Sequence, residues 1–380
     1  VLYLETRRSN PLPAIGLGFL LRKNKEAKSS PRHRTRIFAP QKQGGFYMKA
    51  LIYTGHPAWK ESLNPIIKSR WEQHINEIPE IESFRLYSVY HQSQKNIESQ
   101  LKDEEILIGF NIDNYLDESF FERHPNLKYI STLAMGYGNF DRDAAKKHNV
   151  TLTNTVYGAQ TIAQFTMALL LDICHDIRGN SDFIKKAPDN VLSGGTFFNP
   201  IDRQIELYGK TLGIIGLGHV GLWVARMAQG FGMKVIASSH HIKTGPEYAS
   251  IEQVSTEEIY ARADVISLNC SANPSTVNII NKESIGKMKD GVIIINPSRG
   301  SLIDEDALCE ALKSGKVYAA GLDATSADNS HSHIPLMDCP NAIITPHIAW
   351  SPSEAQLRVV DVAMANVKAW INGHPESSII

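Results

Sequence analysis

Residues 211–221 read TLGIIGLGHVG, an apolar strand-like run delivered straight into Gly216-Leu217-Gly218-His219-Val220-Gly221. A helical pattern follows from His219 to Gln229, closed by Gly230, and a second strand pattern runs from Lys234 to Ser238. Strand, G-x-G-x-x-G, helix and strand in that order restrict this part of the chain to a βαβ unit that holds a dinucleotide. Gly216 permits the tight turn, Gly218 lets backbone approach a pyrophosphate, and Gly221 allows close packing of helix on strand. His219 and Val220 open the helix, whose unpaired N–H groups face the anion.

The end of the second strand bears on which dinucleotide is used. An acidic residue there would hold the ribose 2′-hydroxyl of NAD. This chain has Ser238-Ser239-His240-His241, with Lys243 close by and no carboxylate before Glu247. Hydroxyls, imidazoles and a Lys suit a 2′-phosphate, so Ser239 and His240 are expected to read NADP. NAD or dual use stays open, as does a reading of the His pair as an exposed loop.

At 380 residues the chain has room for two domains. With 42% hydrophobic and 21% charged residues it fits neither disorder, collagen nor coiled coil. Ten of the 39 Lys/Arg but only two of the 40 Asp/Glu fall in residues 1–47, so the rest carries a formal charge of −9. No basic stripe is present, and nucleic acid is not an expected partner. The longest apolar runs, such as Met167 to Cys174, fall well short of the ~20 residues that span a bilayer. Cys174, Cys270, Cys309 and Cys339 form no C-x-x-C pair, which suggests neither a disulfide framework nor a zinc site and fits a reducing cytoplasm. Residues 1–47 lack periodicity and are read as an extension outside the fold, with Met48 as the natural start. An Arg-rich, acid-poor targeting peptide is the competing reading.

From Met48 onward short β-rich runs alternate with helical patterns, the mark of parallel sheets covered on both faces. A first set has strand candidates at Lys49 to Tyr53, Phe84 to Val89, Ile106 to Phe110, Lys128 to Leu133 and Thr151 to Asn154. A long apolar helix from about Thr161 to Ile177 and a loop through Gly194-Gly195 and Asn199-Pro200 lead to the second set, which starts at Lys210. There Ser255 with Glu258 forms a capping box, and Asp304 and Gly315 bracket a further helix. The fold class is α/β, with two doubly wound parallel-sheet domains.

Ligands in such folds sit beyond the carboxyl ends of the strands. VIIIN ends in Asn296 and runs on into Pro297-Ser298-Arg299-Gly300, and after NAIITP comes His347. A guanidinium there can grip a carboxylate and polarise a carbonyl. An imidazole can give a proton to a carbonyl oxygen as hydride arrives. Together they point to hydride transfer to a 2-oxo acid.

These segments match a known family. GKTLGIIGLGHVG (Gly209 to Gly221), INPSRGSLIDEDAL (Ile295 to Leu308), AAGLD (Ala319 to Asp323) and ITPHIAW (Ile344 to Trp350), in that order, resemble the D-isomer-specific 2-hydroxyacid dehydrogenases from about Met48 to the C-terminus. The resemblance implies a Rossmann cofactor domain, residues 158–347, inserted in a flavodoxin-like substrate domain of residues 48–157 and 348–380, and a homodimer. It implies that Arg299 binds the substrate carboxylate and carbonyl, that His347 is the general acid/base, and that Asp323 holds the nicotinamide amide. Backbone N–H groups of Met135 and Gly136 in LAMGYGNFD would grip the carboxylate from the other domain. Cys270, Pro274, Ser298, His347 and Trp350 are expected along the cofactor.

One departure matters: Asp328-Asn329 stands where the family carries Glu-Pro. Asp328 is therefore expected to orient His347 through a side chain one methylene shorter. His331 and His333 lie in the same loop without a carboxylate or thiolate cluster, and no metal is expected. Trp350 and Gln164 most resemble the glycerate dehydrogenase and hydroxypyruvate reductase group. The absence of Lys or Arg near Met135 argues against a phosphorylated substrate. Hydroxypyruvate or glyoxylate is the first expectation, pyruvate or a branched 2-oxo acid the second. A nucleotide-sensing, corepressor-like protein on the same scaffold is the alternative to an enzyme.

Overall fold

The computed structural model describes residues 47–53, 64–87, 94–110, 112, 116–137, 140–186, 204–330 and 332–379. The expected extension up to residue 46, the loop through Gly194-Gly195 and Asn199-Pro200, and His331 lie outside the described residues.

The first sheet comprises β1 (Met48–Tyr53), β2 (Ile81–Tyr87), β3 (Ile106–Gly109), β4 (Tyr129–Thr132) and β5 (Thr151–Thr153), in the order β2-β1-β3-β4-β5. Every pairing is parallel. This is the flavodoxin-like order, and β3 and β4 are buried along their whole length, as strands covered on both faces must be. β2 starts at Ile81 rather than Phe84, because the buried Ile81 pairs with Met48 across two polar positions that masked the strand. Helix α1 (Asn64–Asn76) lays Ile67, Trp71 and Ile75 on one face of this sheet.

Helix α2 (Ala159–His175) leads to the second half and stops where Asp176 turns left-handed, φ 40°. It lies two residues N-terminal of the expected helix, since the buried Ala159 already belongs to its apolar face. The second sheet holds β6 (Thr211–Ile215), β7 (Lys234–Ser238), β8 (Glu252–Gln253), β9 (Val265–Leu268), β10 (Val292–Asn296), β11 (Val317–Leu322) and β12 (Ala342–Ile344). Its order is β12-β11-β10-β9-β6-β7-β8, again parallel throughout. Counted from β6 this is the 3-2-1-4-5-6 Rossmann order with a seventh strand added. Helix α3 (His219–Gly230) packs Val224, Ala225 and Ala228 with Ala163, Met167 and Leu170 of α2. The predicted capping box is present at the start of α4 (Thr256–Arg262), and Asp304 and Gly315 bracket α5 (Glu305–Ser314).

The last helix, α6 (Ser353–Ile371), leaves the second sheet and returns to the first. There Val359, Val360, Ala363 and Val367 enter the cluster around Trp71 and Ile52. Arg70 of α1 fastens it by a two-pronged ion pair to Asp361, at 2.7 and 2.9 Å. Two sheets thus stand side by side, with the ends of β3 and β4 facing those of β10, β11 and β12 across a cleft.

Candidate active site

The cleft encloses a cavity of about 790 Å³. From the first sheet Phe110, Leu133, Met135, Gly136 and Tyr157 line it; from the second come Arg299, Asp323, Asp328 and His347, and Trp350 follows β12.

Arg299 sits there because β10 ends in an asparagine. The fully buried Asn296 accepts from the Ser298 N–H at 3.0 Å and donates to the Arg299 carbonyl at 2.8 Å, closing the turn that carries the guanidinium. Gly300 must be glycine, since a Cβ would lie 2.3 Å from the Thr325 carbonyl carbon. Opposite, a Cβ on Gly136 would stand 2.3 Å from Arg299 Nη2, so the guanidinium lies against bare backbone of the first sheet's loop. That loop is itself pinned: Asn154 donates to the Met135 carbonyl at 2.7 Å and the Thr155 N–H to that of Ala134 at 3.1 Å. Asn366 of α6 then donates to the Asn154 carbonyl at 2.9 Å.

Asp323 ends β11 fully buried and gathers the His347 segment around itself. Its Oδ1 accepts from Thr345 Oγ1 at 2.6 Å and the Ile348 N–H at 2.9 Å, and its Oδ2 from the Ala349 N–H at 2.8 Å. Burial pushes this carboxyl above its ordinary range, against the pull of those three donors. The held segment forces His347 to φ 52°, a left-handed conformation rare outside glycine and concentrated at functional sites. Trp350 Nε1 donates to the His347 carbonyl at 2.9 Å. His347 Nδ1 lies 3.1 Å from Asp328 Oδ2, the two side chains being 38% and 23% exposed. Among the described residues Nε2 has no partner, which leaves one ring nitrogen for a ligand.

The dinucleotide residues lie outside this cavity, along the ends of β6, β7 and β9. Gly216 adopts φ 104°, and a Cβ on it would run 2.6 Å into the backbone of Asn269 and Cys270, where β6 and β9 part at the topological switch point. A Cβ on Gly221 would lie 2.3 Å from the Gly216 carbonyl oxygen, whereas one on Gly218 would meet nothing within 4 Å. Packing thus accounts for two glycines, while Gly218, with the exposed His219 and half-buried Val220, opens the helix toward free space. Asn269 Oδ1 is buried beside this turn without a partner among the described residues. These features fit a dinucleotide. Half-buried Ser239 and exposed His240 follow β7, with Ser239 Oγ donating to the His241 carbonyl at 2.5 Å and His240 Nδ1 3.1 Å from His241 Nε2. Ser298 Oγ donates to the Leu268 carbonyl at 2.7 Å, joining the β9 and β10 ends. Cys270 is half-buried, its thiol pushed up to about 11 by burial, and Pro274 stands on an exposed turn.

Asn296, Asn154, Phe110 and Tyr157 were not singled out from sequence. Asn296 was findable as the polar residue ending an apolar strand; the others act through contacts distant in the chain. Among the described residues no group of three or more His, Cys, Asp or Glu could hold a metal.

A fold of two doubly wound sheets, with an Arg and a carboxylate-paired His at neighbouring strand ends beside a dinucleotide turn, defines a nicotinamide-dependent oxidoreductase. The chain belongs to the D-isomer-specific 2-hydroxyacid dehydrogenases. The model of that family's NAD-binding domain matches residues 180–349. Over 257 residues the chain is 40% identical to a hydroxypyruvate reductase of Blautia hydrogenotrophica, covering 67% of this chain and 79% of that one. It is 36% identical over 302 residues to a hydroxypyruvate reductase of Thermotoga maritima, covering 77% and 95%. A solved glyoxylate reductase from Paecilomyes thermophila superposes with TM-score 0.70 at 27% identity, over 87% of this chain and 98% of that one.

Proposed function

We propose that this chain reduces hydroxypyruvate to D-glycerate, or glyoxylate to glycolate, with NADPH preferred over NADH. The observation that carries the reading is the convergence of Arg299, the Asp328–His347 pair and the Met135–Gly136 loop on one cavity. Arg299 takes the carboxylate and carbonyl oxygen of the oxo acid, and backbone N–H groups at Met135 and Gly136 hold the carboxylate from the other side. The reduced nicotinamide, when bound, supplies the hydride. His347 gives a proton from Nε2 to the carbonyl oxygen as negative charge develops there, and Asp328 holds Nδ1–H so that this nitrogen points at the substrate. Asp323 fixes the segment that carries His347, and its one remaining lone-pair position, on Oδ2, is available to the nicotinamide amide.

The cofactor reading is supported by half-buried Ser239 and exposed His240 after β7, with Lys243 near and no carboxylate at the strand end. The chain divides functionally into a substrate domain, residues 48–157 and 348–380, around a cofactor domain, residues 158–347, and pairs as a homodimer. Phe110, Met135, Tyr157 and Trp350 in the cavity wall support a second reading, larger apolar 2-oxo acids. Nothing in the relatives named above favours a corepressor.

Chiral analysis of the product, together with kcat/KM for NADPH and NADH, tests the proposal. D-glycerate from hydroxypyruvate and a higher kcat/KM with NADPH are expected, the preference falling in Ser239→Ala/His240→Ala. Formation of L-glycerate contradicts the proposed function, and an unchanged preference removes Ser239 and His240 as the phosphate readers.

A further inference from the structure

Cys309 and Cys339 are 30 positions apart in the chain, yet their sulfurs lie 3.2 Å from each other. Cys309 stands on the buried face of α5, and Cys339 directly follows the 3-10 turn Pro335–Asp338. Both are free thiols, 4% and 3% exposed, and both approach the Pro335 carbonyl oxygen, at 3.7 and 3.8 Å. They are shallow, because Lys313, Met337 and Asp338 beside them are exposed. Lys313, one turn beyond Cys309 and exposed, is held above its ordinary pKa by the neighbouring Cys309. Neither thiol lines the cavity.

We infer that Cys309 and Cys339 are an oxidation site, a dithiol that closes to an intramolecular disulfide with hydrogen peroxide as oxidant. Only a contraction of about 1.2 Å separates the sulfurs from bonding distance. Cys309, beside the Lys313 cation, attacks the peroxide: its sulfur gains an oxygen, the O–O bond breaks and water leaves. Cys339 then attacks that sulfenic sulfur, the S–S bond forms and a second water leaves. Two thiols are oxidised and one peroxide is reduced to two waters; a dithiol reductant reverses the change. The bond ties α5 to the segment that begins at Asp328 and carries Met337 into the cavity wall, so closure staples the loop behind the Asp328–His347 pair.

The test is peroxide titration of the full-length protein, followed by thiol counting, intact mass and non-reducing peptide mapping. Titratable thiols are expected to fall from four to two per chain, with loss of the mass of two hydrogens and a single cross-linked peptide pair joining Cys309 and Cys339. Cys309→Ser and Cys339→Ser are each expected to abolish the cross-link, whereas Cys174→Ser leaves it in place. Lys313→Ala is expected to slow closure several-fold. The oxidised protein is expected to melt about 5 °C higher, reversibly with dithiothreitol. Four thiols surviving peroxide, a link through Cys174 or Cys270, or a mass gain from sulfinic acid at either cysteine overturns the site. Closure without a rise in Tm overturns the stapling.

Discussion

Asp328 Oδ2 stands 3.1 Å from His347 Nδ1, so this short carboxylate reaches the imidazole directly. The Asp-bearing segment is brought close by Glu305 of α5, whose carboxylate accepts from the Ser326 N–H and Oγ, both at 2.6 Å. Asp328→Asn keeps the shape but presents a neutral amide to Nδ1. kcat for oxo-acid reduction is expected to fall about 10²-fold with little change in dinucleotide Kd. Asp328→Glu is expected to stay within about tenfold of the parent. Stopped-flow dinucleotide binding alongside steady-state kcat separates the two effects.

Gly136 is tested by adding one carbon. In Gly136→Ala the new Cβ occupies the space of Arg299 Nη2 and pushes the guanidinium off its seat. Misplacement of this order costs about 10² in kcat/KM for the oxo acid. The melting temperature is expected to hold within a few degrees, because the side chain that moves is an exposed Arg and not core.

Asp323→Asn replaces an acceptor of three hydrogen bonds by a group that must turn a donor toward backbone N–H. A loss of about 2–3 kcal/mol in urea unfolding is expected, together with a fall in kcat as His347 leaves its left-handed conformation. Unchanged stability would contradict the role given to this carboxylate.

Asp361 supplies the pH prediction. Burial raises its carboxyl, but the paired Arg70 and then His74 outweigh that and hold it below the ordinary range. Its pKa is lower folded than unfolded, so the pair stabilises above about pH 4 and the contribution fades as pH falls further. Asp361→Asn is expected to cost about 1 kcal/mol at pH 7, the pair being partly exposed, and the two unfolding curves are expected to converge as pH falls below the ordinary carboxylate range.

What the sequence showed was whatever a short segment can encode. The Gly216 turn, Arg299 and His347 are legible because each lies at the end of an apolar strand, where a doubly wound sheet must place its ligand. Asp328 was legible by counting from Asp323. Missing were the contacts that hold these groups in place: Asn366 to the Asn154 carbonyl spans 212 positions, and Asn154 to Met135 joins two loops. Asp323 was read toward the cofactor, yet the structure shows its carboxylate chiefly organising the His347 segment, a role set by the positions of Thr345, Ile348 and Ala349 in space. The approach of Cys309 and Cys339 depends on how α5 packs against the turn before β12, which no spacing rule reveals.

The central claim is that a 2-oxo acid is reduced in this cavity with His347 as proton donor. The measurement that tests it most directly is oxidation of NADPH and NADH by the full-length protein with hydroxypyruvate, glyoxylate, pyruvate and 2-oxoisocaproate, repeated with His347→Gln. The account predicts turnover by the parent and a loss of about 10³-fold or more in kcat for the variant, with dinucleotide binding retained. Tight dinucleotide binding with no oxidation by any of the four acids, or a His347→Gln variant as fast as the parent, would contradict it.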